Sequence, residues 1–272
     1  MLTIDILISV KDSHIVRIKD SLPEEMPGVH YIISYQYTDE KFLRLIPEQL
    51  EKYPDVLIIK TNRTGVSESR NTALSYAQSD LIYFIDDDMH LIPGAIENIR
   101  ETFEQNPKVD IALFQAQNYS GKILREYPKD EKKIETFIDC FKILTSEMVC
   151  RRNKVQGILK FDTRFGLGSG CFICYEQQIW LEDAKRAKLK IKYFPIPIIQ
   201  TSALYLPLQI FVNNNVQKAM GGLLSYVYGH IASVKAFQFA FLSSQKEKCQ
   251  LLSFNNALIK GILRLRHTHK PT

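Results

Sequence analysis

Three consecutive carboxylates, Asp86-Asp87-Asp88, follow directly on the apolar run Leu81-Ile82-Tyr83-Phe84-Ile85. Adjacent carboxylates repel one another, and burying them without partners would be very costly. A divalent cation removes that conflict, and Mg²⁺ characteristically combines one or two carboxylates with phosphate oxygens. The competing reading is a solvated acidic turn. Upstream lies Gly65-Val66-Ser67-Glu68-Ser69-Arg70-Asn71. Gly65 permits a tight turn, and Ser67 or Ser69 can cap the helix that follows. A helix N-terminus beside the Arg70 guanidinium makes an anion site, against the alternative of an ordinary capped helix with an exposed arginine. Cys171 and Cys174 form a C-x-x-C with no second pair. Read as a strand, it points the two thiols to opposite faces, so neither zinc nor redox chemistry is expected.

The elements that must position these residues follow from the apolar pattern. Residues 4–10, 29–35, 56–60, 81–85 and 111–115 read as strands; residues 39–52, 67–77 and 93–105 have helical spacing. The second of these helices puts Ala73, Leu74 and Ala77 on one face, and the third makes a stripe of Ile96, Ile99 and Phe103. Strands alternating with helices predict a parallel sheet built by right-handed crossovers. The all-apolar run before the acids fits a strand buried on both faces, and the acids then sit where open α/β sheets bind ligands. Residues 118–157 are charge-rich, with a helix expected over 131–144, and read as an insertion covering a site or as a solvated excursion. A glycine-rich stretch then leads to a helix over 176–189 and a strand over 191–199, whose Pro195 and Pro197 mark it as an edge or irregular strand.

Composition shifts after about residue 201. Residues 221–242 are rich in Leu, Tyr, Val and Phe, and Lys246, Lys248, Lys260, Arg264, Arg266 and Lys270 follow. This basic, amphipathic appendage either lies on an anionic membrane face or packs on the domain or on a second subunit. The chain has 272 residues, 45% of them hydrophobic and 24% charged, which suits a large globular domain with an appendage. A net charge of +5 is compatible with phosphorylated ligands but too weak to argue for nucleic acid, which is excluded as a partner. Five cysteines do not make a disulfide framework. Asp5 interrupts the first apolar run and no basic segment precedes it, so no secretory signal is expected. No apolar run approaches the ~18 residues of a membrane span, and a cytoplasmic protein, or one peripheral at the inner membrane face, is expected.

Taken together, Gly65-x-Ser-x-Ser-Arg-Asn-x-Ala and an apolar strand ending in Asp86-Asp87-Asp88 resemble the family 2 glycosyltransferases. The resemblance implies a GT-A fold, an α/β mixed sheet with helices on both faces. It would span residues 1–200, with the nucleotide-sugar half at 1–115 and the acceptor half at 116–200, and leave 201–272 as a helical basic appendage. It implies that Asp86 contacts the ribose or the metal, that Asp88 coordinates Mg²⁺ or Mn²⁺ bridging the diphosphate, and that Asp87 supports either. An extended triplet would put Asp86 and Asp88 on one side. By the same resemblance Ser9 and Val10 lie along the nucleoside, Gln36 lies near the base, and Ser69 and Arg70 join the nucleotide-sugar site. Phe161-Asp162-x-Arg164-Phe165-Gly166-Leu167-Gly168-Ser169, then Glu176, Trp180 and Leu181, look like the acceptor-side motif. Gly168, Ser169 and Trp180 fall on the acceptor and sugar side.

Glu176 becomes the general-base candidate, because a carboxylate at a helix N-terminus is favoured in its ionised form; a capping or acceptor-binding role is the alternative. Two departures stand out. Gln177 replaces the second acid of the motif, and Gln200-Thr201 stand where many members carry a histidine. The implied activity is inverting, metal-dependent transfer of one sugar from a nucleotide-diphospho-sugar, UDP-linked, to a hydroxyl of a saccharide or lipid-linked saccharide in polysaccharide or glycolipid assembly. The alternative is a catalytically degenerate nucleotide-sugar-binding or scaffold protein, and a homodimer is open. A nucleotidyltransferase would normally carry a glycine-rich loop after the first strand, and residues 9–13 contain no glycine.

Overall fold

A computed structural model of the protein describes residues 1–18, 26–136, 139, 141–201, 206–246 and 249–268. The chain forms two compact units. One comprises Met1–Thr64, Glu68–Lys160 and Asp183–Ala203; the other comprises Gly65–Ser67, Phe161–Glu182 and Leu204–Thr272. Residues 161–182 thus group with the C-terminal helices.

The larger unit is built on a nine-stranded sheet. Strands β1 (Ile4–Lys11), β2 (Val29–Gln36), β3 (Val56–Thr61) and β4 (Leu81–Asp86) carry the apolar runs singled out in the sequence. They pair in parallel in the order β3-β2-β1-β4. Both faces of β1 and β4 are buried, as unbroken Ile/Leu/Phe runs require. Beyond β4 the sheet turns mixed. β5 (Met89–Leu91), β6 (Ile111–Gln117), β7 (Lys132–Lys133), β8 (Met148–Arg151) and β9 (Ile191–Thr201) complete it. The order continues β4-β8-β6-β9-β5, with β8 antiparallel to both neighbours and β7 paired to β9.

Helix α1 (Glu48–Lys52) is all that forms of the expected helix over 39–52. Pro47 stops it, because Ile46 before it is held extended, and Glu40–Leu45 make only a 3₁₀ turn. Helices α2 (Val66–Tyr76) and α3 (Ala95–Gln105) bury the predicted stripes, Ala73 and Leu74 in the first and Ile96, Ile99 and Phe103 in the second. Pro93 lies just outside α3, which starts after Gly94 at φ 79°.

Two further expectations are corrected. The described part of 131–144 contains no long helix: Lys132 and Lys133 pair with β9 instead, and α4 (Arg152–Val155) is short. Residues 171–174 are not a strand; the segment turns, with a single bridge between Phe165 and Phe172. Strand β9 is irregular, as its prolines suggest, but it is not an edge strand, because it lies between β6 and β5 with register shifts about Gln115 and Pro197.

In the smaller unit, α6 (Asn214–Tyr228), α7 (Ala232–Gln245) and α8 (Leu251–His267) follow α5 (Glu176–Arg186) in the chain. Asn213 caps α6 by accepting from the amides of Asn215 and Val216. Helices α6 and α8 cross in backbone contact. A Cβ on Gly221 would stand 1.9 Å from the Leu258 carbonyl oxygen, and one on Gly261 would stand 1.9 Å from that of Lys218. Only glycine fits both positions. No helix among the described residues is long and apolar enough to cross a membrane.

Candidate functional site

The parallel register brings the nucleotide-side residues into one row. Ser9 on β1 stands opposite Asp86 on β4 and Ser34 on β2, while Lys11 stands opposite Gln36. These are the carboxyl ends of the strands. They flank the point where the order reverses, with β2 and β3 on one side of β1 and β4 on the other, and open α/β sheets bind ligands in such a crevice. Val10 and Gln36 are buried within the row, and Ser9 is half-buried.

Arg70 ties this row to α2. Its guanidinium is nearly fully buried, and Nη2 donates to Asp86 Oδ1 at 2.9 Å. Asp86 itself keeps 33% of its side chain exposed. Neither serine caps α2, because both lie inside it and donate elsewhere: Ser69 Oγ to the Ser34 carbonyl at 3.2 Å, Ser67 Oγ to the Phe165 carbonyl at 2.6 Å. Ser69 therefore fastens the helix onto β2 instead of facing a ligand.

The acidic triplet is not extended. Asp86 ends β4, and Asp87 and Asp88 form the turn into β5, so strand alternation does not place Asp86 with Asp88. Asp87 Oδ2 lies 2.7 Å from His14 Nδ1. Burial pushes the Asp87 carboxyl above its ordinary value, and His14 works against that shift. Burial also raises Asp88, reinforced by the Asp86 charge and partly offset by Arg17 and His14. Two partly buried carboxylates held above their ordinary values beside a third are what a cation would relieve. Among the described residues no group of three or more His, Cys, Asp or Glu side chains forms a metal cage. A hard cation completed by phosphate oxygens and water needs no such cage, and the carboxylate oxygens of this turn are of the chemical type that such a cation takes.

Three residues missed in the sequence complete this side. His14 comes from the 3₁₀ turn Asp12–Arg17 after β1. Tyr119 donates its hydroxyl to the Asp88 carbonyl at 3.1 Å, and His90 packs edge-on against the Tyr119 ring at 5.8 Å. The 118–157 segment is anchored, not solvated throughout. Glu147, fully buried, accepts from Arg125, from the Tyr127 hydroxyl at 2.6 Å and from the Leu144 amide at 3.1 Å. Burial raises the Glu147 carboxyl and the Arg125 charge opposes that rise.

In the smaller unit, Gly65-Val66-Ser67 packs directly on the glycine-rich loop. The Val66 amide donates to the Leu167 carbonyl at 2.9 Å, and a Cβ on Gly168 would lie 3.1 Å from the Gly65 Cα. Gly166 has φ 102°, and a Cβ there would meet Val66 Cγ1 at 2.6 Å, Ser67 Oγ at 3.1 Å and the Glu176 carboxyl carbon at 3.3 Å. Glu176 is buried at the first position of α5, preceded by Tyr175 at φ 79°. A positive φ at a buried tyrosine costs about 1–3 kcal/mol and is held only by its surroundings. Glu176 stands near Cys174, whose thiol is pushed up by burial and then by the Glu176 charge, which leaves it inert. Gln177 is buried beside it. Gly168 and Ser169 are accessible, and Ser169 Oγ donates to the Phe172 carbonyl at 2.9 Å. Trp180 is wholly buried and stacks on Phe161 at 5.6 Å, so it packs the unit and presents no surface to a sugar.

Residues 37–164 match the family described as glycosyl transferase family 2. This stretch is a family 2 glycosyltransferase region. A protein of Haemophilus influenzae described as an uncharacterized glycosyltransferase is 31% identical over 67 residues, which is 25% of this chain and 23% of that protein. The match thus spans about a quarter of either chain. Among solved structures, S. aureus TarS residues 1–349 superpose with a TM-score of 0.61 at 11% identity, covering 99% of this chain and 93% of that one. The same TarS segment in complex with UDP-GlcNAc gives a TM-score of 0.56 at 13% identity, covering 97% and 90%. At such identity the likeness shows the fold, the GT-A arrangement with a helical C-terminal region.

The family 2 region contains Arg70 and all three acids of the turn. Ser9, Gln36 and Asp86 lie at the strand ends of the larger unit, where Ser69 and Arg70 bond to Ser34 and Asp86, while Val10, next to Ser9 on β1, faces the other side of the sheet; Asp87 and Asp88 lie in the turn that follows. Glu176, Gly168 and Ser169 belong with Gly65–Ser67 in the smaller unit. No sequence signal marked His14 or Tyr119, because each reaches the turn by long-range folding, 73 and 31 residues away in the chain.

Proposed function

We propose that the chain transfers a single sugar, with inversion, from a UDP-linked sugar to a hydroxyl of a saccharide or lipid-linked saccharide acceptor. The observation that carries this reading is the pair of buried Arg70 with partly exposed Asp86 at the carboxyl end of β4, in register with Ser9, inside a family 2 region. The TarS complexes with UDP-GlcNAc and UDP support the choice of donor class.

On this reading the uridine lies along Ser9 and Gln36. Arg70 orients Asp86 toward the ribose, and its charge favours the diphosphate region electrostatically. Asp86 and Asp88 are the groups that would hold Mg²⁺ or Mn²⁺, which when bound supplies charge stabilisation for the departing diphosphate. His14 keeps Asp87 in place beside them. The acceptor hydroxyl loses its proton to Glu176 as its oxygen attacks the anomeric carbon. The new glycosidic bond forms as the bond to the diphosphate oxygen breaks, and UDP leaves with that electron pair. The strain at Tyr175 and the glycine contacts at Gly166 fix the direction of the Glu176 carboxylate.

The test is UDP release from a panel of UDP-sugars with Mn²⁺ and candidate acceptors. Glu176→Gln should lower turnover by about 10²–10⁴-fold, the usual worth of a general base, while leaving UDP affinity unchanged. Wild-type turnover in that variant would remove Glu176 from the role. UDP binding with no release from any donor would favour the non-catalytic binding protein that the buried Gln177 motivates.

A further inference from the structure

Helix α7 is built inside out. It buries its small side chains, Ala232, Ala236, Ala240 and Ser243, and turns most of its large ones outward, with Phe239 half-buried against Phe254. Val234 is 58% exposed, Phe237 51%, Phe241 43% and Leu242 61%, and Ile231 just before the helix is exposed as well. The Phe237 and Phe241 rings lie against each other on this outer face, 6.3 Å between centroids. An ordinary surface helix does the reverse, and a contiguous apolar stripe of this kind marks a surface that meets something other than water.

The charge around the stripe says what that is. Residues 204–272 contain eight lysines and arginines and one acid, Glu247, a net charge of +7. The whole chain carries +5, so the remaining residues carry −2, and the positive charge belongs entirely to this region. Cations flank both ends of the stripe. Lys235 Nζ sits over the Tyr228 ring at 5.6 Å, and Arg266 Nη2 donates to the Gly229 carbonyl at 3.4 Å, at the corner that leads to Ile231. Lys246 is exposed at the other end.

We propose that the outer face of α7 is a docking surface for an anionic lipid bilayer. Its aromatic and aliphatic side chains enter the headgroup boundary, and Lys235, Lys246 and Arg266 meet lipid phosphates. The helix lies in the interface and does not cross it, consistent with the lack of a spanning helix among the described residues. A second copy of the chain fits this face less well. Two such surfaces would oppose like charges. The exposed apolar area, about 500 Å² from side chains that each cover roughly 150–250 Å² when buried, is also below the ~800 Å² per partner of a stable interface. This inference stands apart from the donor site and does not depend on it.

The experiment is flotation of the full chain with phosphatidylcholine vesicles, with and without phosphatidylglycerol. The wild type should float with the anionic vesicles only, and high salt should release it. Phe237→Ser/Phe241→Ser and, separately, Lys246→Glu/Arg266→Glu should each lower the bound fraction at least about tenfold, with unchanged thermal midpoints because these side chains are exposed. Failure of the wild type to bind anionic vesicles, equal binding to neutral ones, or wild-type binding by both variants would overturn the proposal. So would a wild-type dimer that the Phe237→Ser/Phe241→Ser variant converts to monomer, which would assign the face to a second copy of the chain.

Discussion

Replacing Gly166 with alanine introduces two separable costs. At φ 102° an L-residue is strained, by about 1–2 kcal/mol. The new methyl would also stand 2.6 Å from Val66 Cγ1, roughly 1 Å inside normal contact, and 3.1 Å from Ser67 Oγ. Ser67 cannot retreat freely, because its hydroxyl donates to the Phe165 carbonyl at 2.6 Å. Val66 is half-buried and can give partly, which puts the overpacking cost at about 1–3 kcal/mol. Gly166→Ala should therefore lose about 2–5 kcal/mol in reversible urea unfolding, with the denaturant slope unchanged. Adding Val66→Ala removes Cγ1 but not the backbone strain. The double variant, compared with Val66→Ala alone, should show an alanine penalty reduced to about 1–2 kcal/mol. The Glu176 carboxyl carbon lies only 3.3 Å from the same methyl position, so turnover should fall further than stability alone would explain. A loss below about 0.5 kcal/mol, or an equal penalty with and without Val66, would refute the close approach of the two glycine segments.

The Arg70–Asp86 pair should show coupling in a double-mutant cycle of Arg70→Met and Asp86→Asn. Breaking a buried pair typically costs about 3–5 kcal/mol, but the partial exposure of Asp86 lowers the expected coupling to about 1–2 kcal/mol. Coupling under about 0.5 kcal/mol in urea unfolding would mean the pair does not organise the strand end. At the other end of the sheet, the Thr3 amide and hydroxyl donate to Asp80 Oδ2 at 2.9 and 3.0 Å and hold that carboxyl below its ordinary value of 3.8. A depressed value means that the contribution to stability is fully present above pH 3.8 and is lost as pH falls through the folded-state value. Asp80→Asn should be slightly less stable than wild type at neutral pH, by about 0.5 kcal/mol or less at this exposed site, and equal to it in acid. A difference that persists unchanged in acid would count against the assignment.

The nucleotide half was legible because parallel strands write themselves as unbroken apolar runs. Residues 4–10, 29–35, 56–60 and 81–85 map onto β1 to β4, and their register alone aligns Ser9 with Asp86. What failed has local causes. Two or three residues of β5 and β7 are too few to show a period, and Lys132 and Lys133 become a strand only because β9 offers them a partner. Pro47 lies inside the helical pattern of residues 39–52 and breaks it. Only an extended triplet would put Asp86 and Asp88 on one side, and β5, paired antiparallel to β9, is reached through a turn at Asp87-Asp88 instead. The motif resemblance puts Trp180 on the acceptor and sugar side, yet its ring is consumed by stacking on Phe161. His14 could not be found from spacing, since a 3₁₀ turn and long-range folding bring it to Asp87.

The central claim, that the row from Ser9 to the Asp86-Asp87-Asp88 turn binds a nucleoside diphosphate with a divalent cation, is tested most directly by thermal unfolding with UDP, with and without Mn²⁺. Wild type should be stabilised by UDP and Mn²⁺ together, by about 2.7 kcal/mol at a free UDP concentration a hundred times its dissociation constant. Asp88→Ala should lose the Mn²⁺-dependent part while keeping its unliganded stability. No stabilisation of the wild type by UDP with Mn²⁺, or an undiminished Mn²⁺-dependent shift in Asp88→Ala, would contradict the account.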